Sequence, residues 1–284
     1  MKTTTGGLLL VLGVAMPAFA QPVRVDAVQS PAWLERDGRT VPLATGTVIA
    51  GQDRIVTGAN ARVRLQLAEG SSVRLGEYAE FTLDRAEDRG GTFRAALGVL
   101  KGAFRFTTGL VARARPRDVT IRVKNVTAGI RGTDLWGKSS DDRDLVCLLE
   151  GAITVGSEGH PTVTLDKPND FYQRARSGAA PQVSKVDQAQ VDLWSKETAL
   201  EDDGVAHEGR GWRIVAATMP NRDEALKLVR SLRAAGFASE AAPGPEGATL
   251  VRVGPFSTEA QARAVMGNLR GLPGVSLPKV VPLP

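Results

Sequence analysis

One design occurs twice between Trp212 and Val275, and it limits this stretch more than any other feature of the chain does. Shifting the first copy, which opens W-R-I-V-A-A-T-M, by 37 positions lays Ile214 on Val251, Ala216 on Val253 and Met219 on Phe256. The same shift lays Ala225 on Ala262, Leu228 on Val265 and Leu232 on Leu269. In both copies an apolar alternation of period two gives way, at the same place, to apolar residues three and four apart. Period two belongs to a strand with one buried face, and the second spacing to an amphipathic helix.

Two strand–helix–strand units in succession predict an α+β ferredoxin-like βαββαβ sheet, four strands with two helices on one face. The strands are expected at Trp212–Thr218, Phe237–Ala241, Thr249–Val253 and near Val275–Val280. The helices are expected at about Arg222–Ala235 and Thr258–Arg270. Gly236 stands where a C-terminal cap belongs, and Thr258-Glu259 is a helix start signal.

Upstream, the chain divides further. Met1-Lys2 followed by an apolar run from Leu8 to Phe19 and Ala18-Phe19-Ala20 has the pattern of a signal peptide, with cleavage expected after Ala20. The run is too short to span a bilayer, and no later segment is long and apolar enough, so no stable membrane insertion is expected. The expected organisation is a leader at 1–20, a β domain at 21–176, a linker with a short helix at 177–210 and the doubled unit at 211–284. Across the whole chain, 31 glycines in 284 residues and an aromatic content of 5% favour short strands with tight turns. Arg62–Leu67 alternates cleanly, so Val63, Leu65 and Leu67 should point inward. Asp37-Gly38 marks a hairpin, Asp84–Gly91 a polar loop, and Gly98 and Gly102 bends or bulges in a strand pair between Leu97 and Phe106. Leu145–Leu149 should be a central strand, with Glu150-Gly151 turning it into Ala152–Val155. This spacing describes an all-β roll or sandwich. In the linker, Val186–Leu200 has helical spacing, and Trp194 is placed to pack on the β domain.

These residues also carry a resemblance. G-Q-D-R-I-V-T-G-A-N-A-R-V-R-L-Q-L-A-E-G-S-S-V-R-L-G (Gly51 to Gly76) and G-V-L-K-G-A-F-R-F (Gly98 to Phe106) resemble FecR-type periplasmic domains. So do I-R-V-K-N-V-T-A-G-I-R-G-T-D-L (Ile121 to Leu135) and L-L-E-G-A-I-T-V (Leu148 to Val155), in the family's order. The FecR transducers also carry a cytoplasmic segment and a membrane span that regulate a sigma factor. Here a cleavable leader is expected instead, so the resemblance implies a fold and a periplasmic location.

Within the doubled unit, W-R-I-V-A-A-T, A-L-K-L-V-R-S-L-R-A-A-G-F and L-V-R-V-G-P-F-S-T-E-A-Q-A-R resemble the SPOR (sporulation-related repeat) family. That resemblance implies binding of peptidoglycan, with a preference for glycan strands stripped of peptide stems, on the sheet face that the helices leave open. The pleat assigns Ile214, Ala216, Val251 and Val253 to the helix side. It leaves Arg213, Val215, Ala217, Leu250 and Arg252 as the peptidoglycan-binding residues. Guanidinium groups offer fixed donors to hydroxyls and carboxylates, and apolar side chains cover sugar rings. From Gly211 on there are nine basic and five acidic residues, a local charge of +4 that suits a polymer bearing carboxylates. The family's first strand ordinarily shows a glutamine and then a glycine on the open face; Val215 and Ala217 stand there instead.

Other chemistries find little support. The net charge of +5 permits polyanions without selecting one, and no nucleic-acid partner is expected. His160, His207 and Cys147 are too few and too scattered for a metal site or a hydrolytic triad. Asp141, Asp142 and Asp144 read as a solvated hairpin tip, Asp202-Asp203 as a solvated linker, and the basic run Arg113, Arg115 and Arg117 as an exposed loop. Arg131-Gly132-Thr133-Asp134 reads as a tight bend, and Cys147 as a small buried hydrophobe. No metal or cofactor is expected. The expectation is a non-enzymatic envelope protein whose SPOR-like domain binds peptidoglycan while the β domain presents a surface to another envelope protein. The alternative is a sensory or regulatory protein in which the SPOR-like domain only localises the chain.

Overall fold

The structure, a computed structural model, describes residues 23–109, 116–200, 211–235, 237–256 and 259–283. The expected leader, Arg113, Arg115, Asp202, Asp203, His207, Gly236 and Thr258 lie outside the described residues. The described residues are mostly β-structure, in a sheet of fifteen strands and a sheet of four.

The large sheet opens with β1 (Val23–Gln29), β2 (Ala32–Arg36), β3 (Arg39–Pro42), β4 (Val48–Ile49) and β5 (Arg54–Thr57). Asp37 and Gly38 join β2 to β3 with positive φ at both positions, as the Asp-Gly signal predicts. It continues through β6 (Arg62–Gln66), β7 (Ser72–Leu75), β8 (Glu80–Arg89) and β9 (Thr92–Thr107). It closes with β10 (Arg117–Val123), β11 (Val126–Ser139), β12 (Arg143–Ser157), β13 (Val163–Leu165), β14 (Asp170–Ala175) and β15 (Gln182–Lys185). The main path runs β15-β14-β12-β11-β10-β9-β7-β6-β1-β4, with β10 parallel to β9. Val63, Leu65 and Leu67 are buried in its core beside Phe81, Phe104 and Phe106.

Three expectations change here. Asp84–Gly91 is not a loop: β8 runs to Arg89, paired with β9 as far as Arg89 opposite Thr92, and only Gly90 and Gly91 turn. Leu97–Phe106 is not a strand pair but the middle of a single 16-residue strand. Glu150-Gly151 does not end a strand either, because β12 runs through it for 15 residues. In each case the glycines bend or bulge a strand whose pairing continues, and pairing with distant partners is invisible to local pattern. The bend in β11 is the Arg131–Asp134 segment. Gly132 takes φ 65°, and β11, paired with β10 up to Ile130, pairs with β9 from Asp134 onward. Thr133 is fully buried there. Its hydroxyl donates to the Ala152 carbonyl across the ladder at 2.9 Å, and its N–H donates to Thr108 Oγ1 at 3.0 Å. Asp134 accepts two hydrogen bonds from Arg105, at 2.9 and 2.7 Å.

Asp144 overturns the solvated hairpin tip. Its side chain is wholly buried, and Arg176 donates to both of its oxygens at 3.1 and 2.8 Å. The Asn125 N–H adds a third bond at 3.2 Å, and Arg176 also reaches the Ser140 carbonyl and Ser139 Oγ. A buried carboxylate persists only when paired in this way. Asp141 and Asp142 are exposed, as expected.

A second apolar cluster holds the linker helix. Helix α1 (Gln188–Lys196) starts at Asp187, whose carboxylate accepts from the Gln190 N–H at 2.7 Å. Trp194 on this helix stacks on Trp136 of β11, with ring centroids 4.4 Å apart and planes 3° from parallel, and lies beside Phe171. Gly76 makes room for the helix end, since a Cβ there would fall 2.6 Å from the Glu197 carbonyl oxygen. Cys147 belongs to this cluster, and burial, with a smaller contribution from Asp170, pushes its thiol pKa up to about 12.

Two measurements follow from these contacts. Arg176→Ala leaves Asp144 buried and uncompensated and should cost about 3–5 kcal/mol by urea denaturation, whereas an Arg176→Met/Asp144→Leu double variant should recover much of the loss. Cys147 should not react with an aromatic disulfide reagent at pH 8 in the native chain, and should react fully once urea unfolds it.

Candidate functional site

The four-stranded sheet consists of β16 (Trp212–Met219), β17 (Ser239–Pro243), β18 (Thr249–Phe256) and β19 (Lys279–Pro282). Its strands are antiparallel neighbours in the order β17-β18-β16-β19. Helices α2 (Arg222–Ala234) and α3 (Glu259–Leu269) pack against it. Asn221 caps α2, its side-chain oxygen accepting from the Glu224 N–H at 2.9 Å. The apolar stripe Ala225, Leu228, Val229 and Leu232 meets Ile214, Val251 and Val253 of the sheet. The fourth strand lies later than its predicted span and starts at Lys279.

Register shows which side chains share the open face. Val215 pairs with Arg252, Arg252 with Glu240, and Val215 with Lys279. Directly paired residues point to the same side, so Glu240, Arg252, Val215 and Lys279 form one row across the sheet. Arg213 pairs with Val281 on the same side, and Leu250 pairs with Ala242 and Thr218. Four of the five expected residues, Arg213, Val215, Leu250 and Arg252, are therefore brought together.

Ala217 is not among them. The register of β16 against β18 slips between Val215 and Ala217, so that Ala217 pairs with Val251 on the helix side. Ala216 and Ala217 are both buried in the helix-side core, and the Ala216 carbonyl accepts from the Ser276 N–H at 3.0 Å. The extra residue of this bulge moves every later side chain of β16 to the opposite face from a strict alternation. Thr218, exposed and opposite Leu250, takes the open-face place that alternation assigns to Ala217. The only sequence signal is the unbroken apolar run Ile214–Ala217, which leaves the facing of Ala216 and Ala217 open.

The electrostatics of the face centre on two guanidinium groups. Burial, and then the nearby Arg252, lower the pKa of Arg213, with Glu240 opposing. Arg252 Nε is buried without a hydrogen-bond partner. Two cations held close with a donor unspent favour a ligand that brings acceptors, such as a carboxylate or a row of hydroxyls. Beside them, at the register shift in β18, Gly254 takes φ 119°, and a Cβ there would fall 2.9 Å from the Phe256 ring. Among the described residues no three His, Cys, Asp or Glu side chains group as metal ligands, and no helix is long and apolar enough to cross a membrane.

Against known proteins, residues 53–154 match the FecR protein family and residues 208–277 match the SPOR domain, in that order along the chain. Both are non-catalytic families typical of envelope proteins, and SPOR domains are known to bind peptidoglycan. No curated protein matches the chain. Among solved structures, two crystal structures of a candidate anti-sigma factor from Parabacteroides distasonis are similar to it. One has 16% identity and a TM-score of 0.42, over 50% of this chain and 64% of that one. The other has 14% identity and a TM-score of 0.42, over 63% of this chain and 72% of that one.

Gly254→Ala should destabilise the chain by about 1–3 kcal/mol, the cost of a strained backbone position. Equilibrium urea unfolding followed by tryptophan fluorescence measures it, and an unchanged midpoint would show that this point of β18 tolerates a side chain.

Proposed function

We propose that the chain is a non-enzymatic, periplasmic envelope protein that binds peptidoglycan glycan strands on the open face of its four-stranded sheet. The observation that carries this reading is the row Glu240–Arg252–Val215–Lys279 with Arg213 beside it, on a sheet whose first three strands lie within the segment that matches the SPOR domain. The strand order second–third–first–fourth, with two helices against the sheet, supports the ferredoxin-like arrangement.

In this reading Arg252 and Arg213 donate to hydroxyls and lactyl carboxylates, while Val215 and Leu250 lie against sugar rings. Thr218 adds a hydroxyl where a strict alternation would leave only a methyl group. The domains divide at 21–176, 177–210 and 211–284, after a leader cleaved at Ala20 that exports the chain. The β domain serves as a platform for another envelope protein. The stacking of Trp194 on Trp136 supports this division, because it ties the linker helix to the β domain and leaves the peptidoglycan-binding part to follow.

The test is retention on purified sacculi, with and without amidase treatment to remove peptide stems. The chain should be retained, and more strongly after amidase. Arg252→Ala should lower the apparent affinity roughly tenfold, the equivalent of about 1.4 kcal/mol and of one charge-assisted hydrogen bond. Arg213→Ala should do likewise. No retention on either preparation would end the reading. Retention that neither variant alters would move binding to another face.

A further inference from the structure

The open face of the small sheet is partly covered in the folded chain: Thr218 and Lys279 are exposed on it, whereas Arg213 and Arg252 lie under the large sheet. Strand β3 of the large sheet lies against β17, and β1 lies against β18. Ser30 Oγ, from the turn between β1 and β2, donates to the Pro255 carbonyl at 2.6 Å. Pro42 and Ala44, at the end of β3 and just beyond it, form one wall of a cleft whose other wall is Arg213, Glu240 and Arg252. Ala242, which the register assigns to the open face, is only 8% exposed. The cleft measures about 170 Å³, below the roughly 300 Å³ at which small-molecule sites begin. Pro42 and Ala44 therefore stand between a glycan strand and the two guanidinium groups.

From these contacts we infer that the β domain is a cap on the small sheet's glycan face, and that the polymer gains Arg213 and Arg252 only when the two sheets part. This rests on the glycan reading above and adds its regulation. The cap is poised to leave. It holds two guanidinium groups in a cleft with a single carboxylate, Glu240, so closure costs solvation of like charges. An anionic, hydroxyl-rich polymer binds the uncapped state alone, and its apparent affinity falls by the fraction of chains that are open. Anything that draws the β domain away, such as a protein bound to that domain near β3, raises affinity for the cell wall without touching the glycan face.

Charge placed on the cap at Ala44 tests this in the full chain. Ala44→Arg adds a third guanidinium to a cleft too small for it and should open the cap. Ala44→Glu supplies a partner for Arg213 and Arg252 and should close it further. Ser30→Ala, which removes the hydrogen bond to Pro255 with no change of bulk, should open it partly. On amidase-treated sacculi, retention should rise several-fold for Ala44→Arg, rise less for Ser30→Ala, and fall for Ala44→Glu. Small-angle scattering of the same proteins without ligand should give a larger radius of gyration for Ala44→Arg than for the parent. Equal retention by all four proteins, or an unchanged radius of gyration for Ala44→Arg, overturns the cap. Loss of retention by all four overturns the glycan reading instead, and the scattering comparison still decides whether the β domain closes over the face.

Discussion

A β-strand sends successive side chains to opposite sides, so one unpaired residue reverses the facing of everything beyond it. Both sheets depend on where such residues fall. In the large sheet, the interruptions at Gly132 and Gly151 let β11 and β12 change partners along their length without ending. In the small sheet, the bulge at Ala216 draws Ala217 into the core and turns Thr218 outward. The chemistry of the candidate face follows from that one insertion. A strict alternation leaves an alanine methyl group beside Val215, whereas the bulged strand presents a hydroxyl next to the arginine row.

The same economy governs what joins the parts. Asp144 and Arg176 bury a charge pair beside the hairpin that ends β11, and its cost is offset by the hydrogen bond that the Asn125 N–H donates to Asp144 and by those that Arg176 donates to Ser139 Oγ and the Ser140 carbonyl. Trp136, on the outer side of β11, receives Trp194 from the linker helix. The link to the small sheet therefore starts from a rigid seat on the β domain. The small sheet in turn rests on β1 and β3 of that domain. A segment that matches the SPOR domain and a large sheet that covers part of that segment's own sheet occur in one chain.

Much of the small sheet was legible because its signals are local. Ile214, Val251 and Val253 alternate, and Leu228 and Leu232 recur at helical spacing, so their burial could be read from neighbours in sequence. Arg213, Val215, Leu250 and Arg252 followed as the opposite side of that alternation. Trp194 could be placed on the β domain because it was a large apolar side chain on a short helix with no other face to cover. Long strands were harder. The polar end of β8 looks like a loop since its pairing partner, not its own pattern, makes it a strand. Asp144 looked solvated for a similar reason: its partner Arg176 is 32 residues away.

By itself, then, the sequence determined two sheets of different class, the helix side of the smaller one, and the pair of arginines on the other side. Periodicity carries these, since it needs only the covalent order of apolar and polar residues. Tertiary structure decided that Ala217 is buried and Thr218 is not, that Asp144 is a core ion, and that Pro42 and Ala44 stand over the arginines. Each of these depends on register or on contacts between residues far apart in the chain, and the order of residues along one strand does not contain the position of the strand beside it.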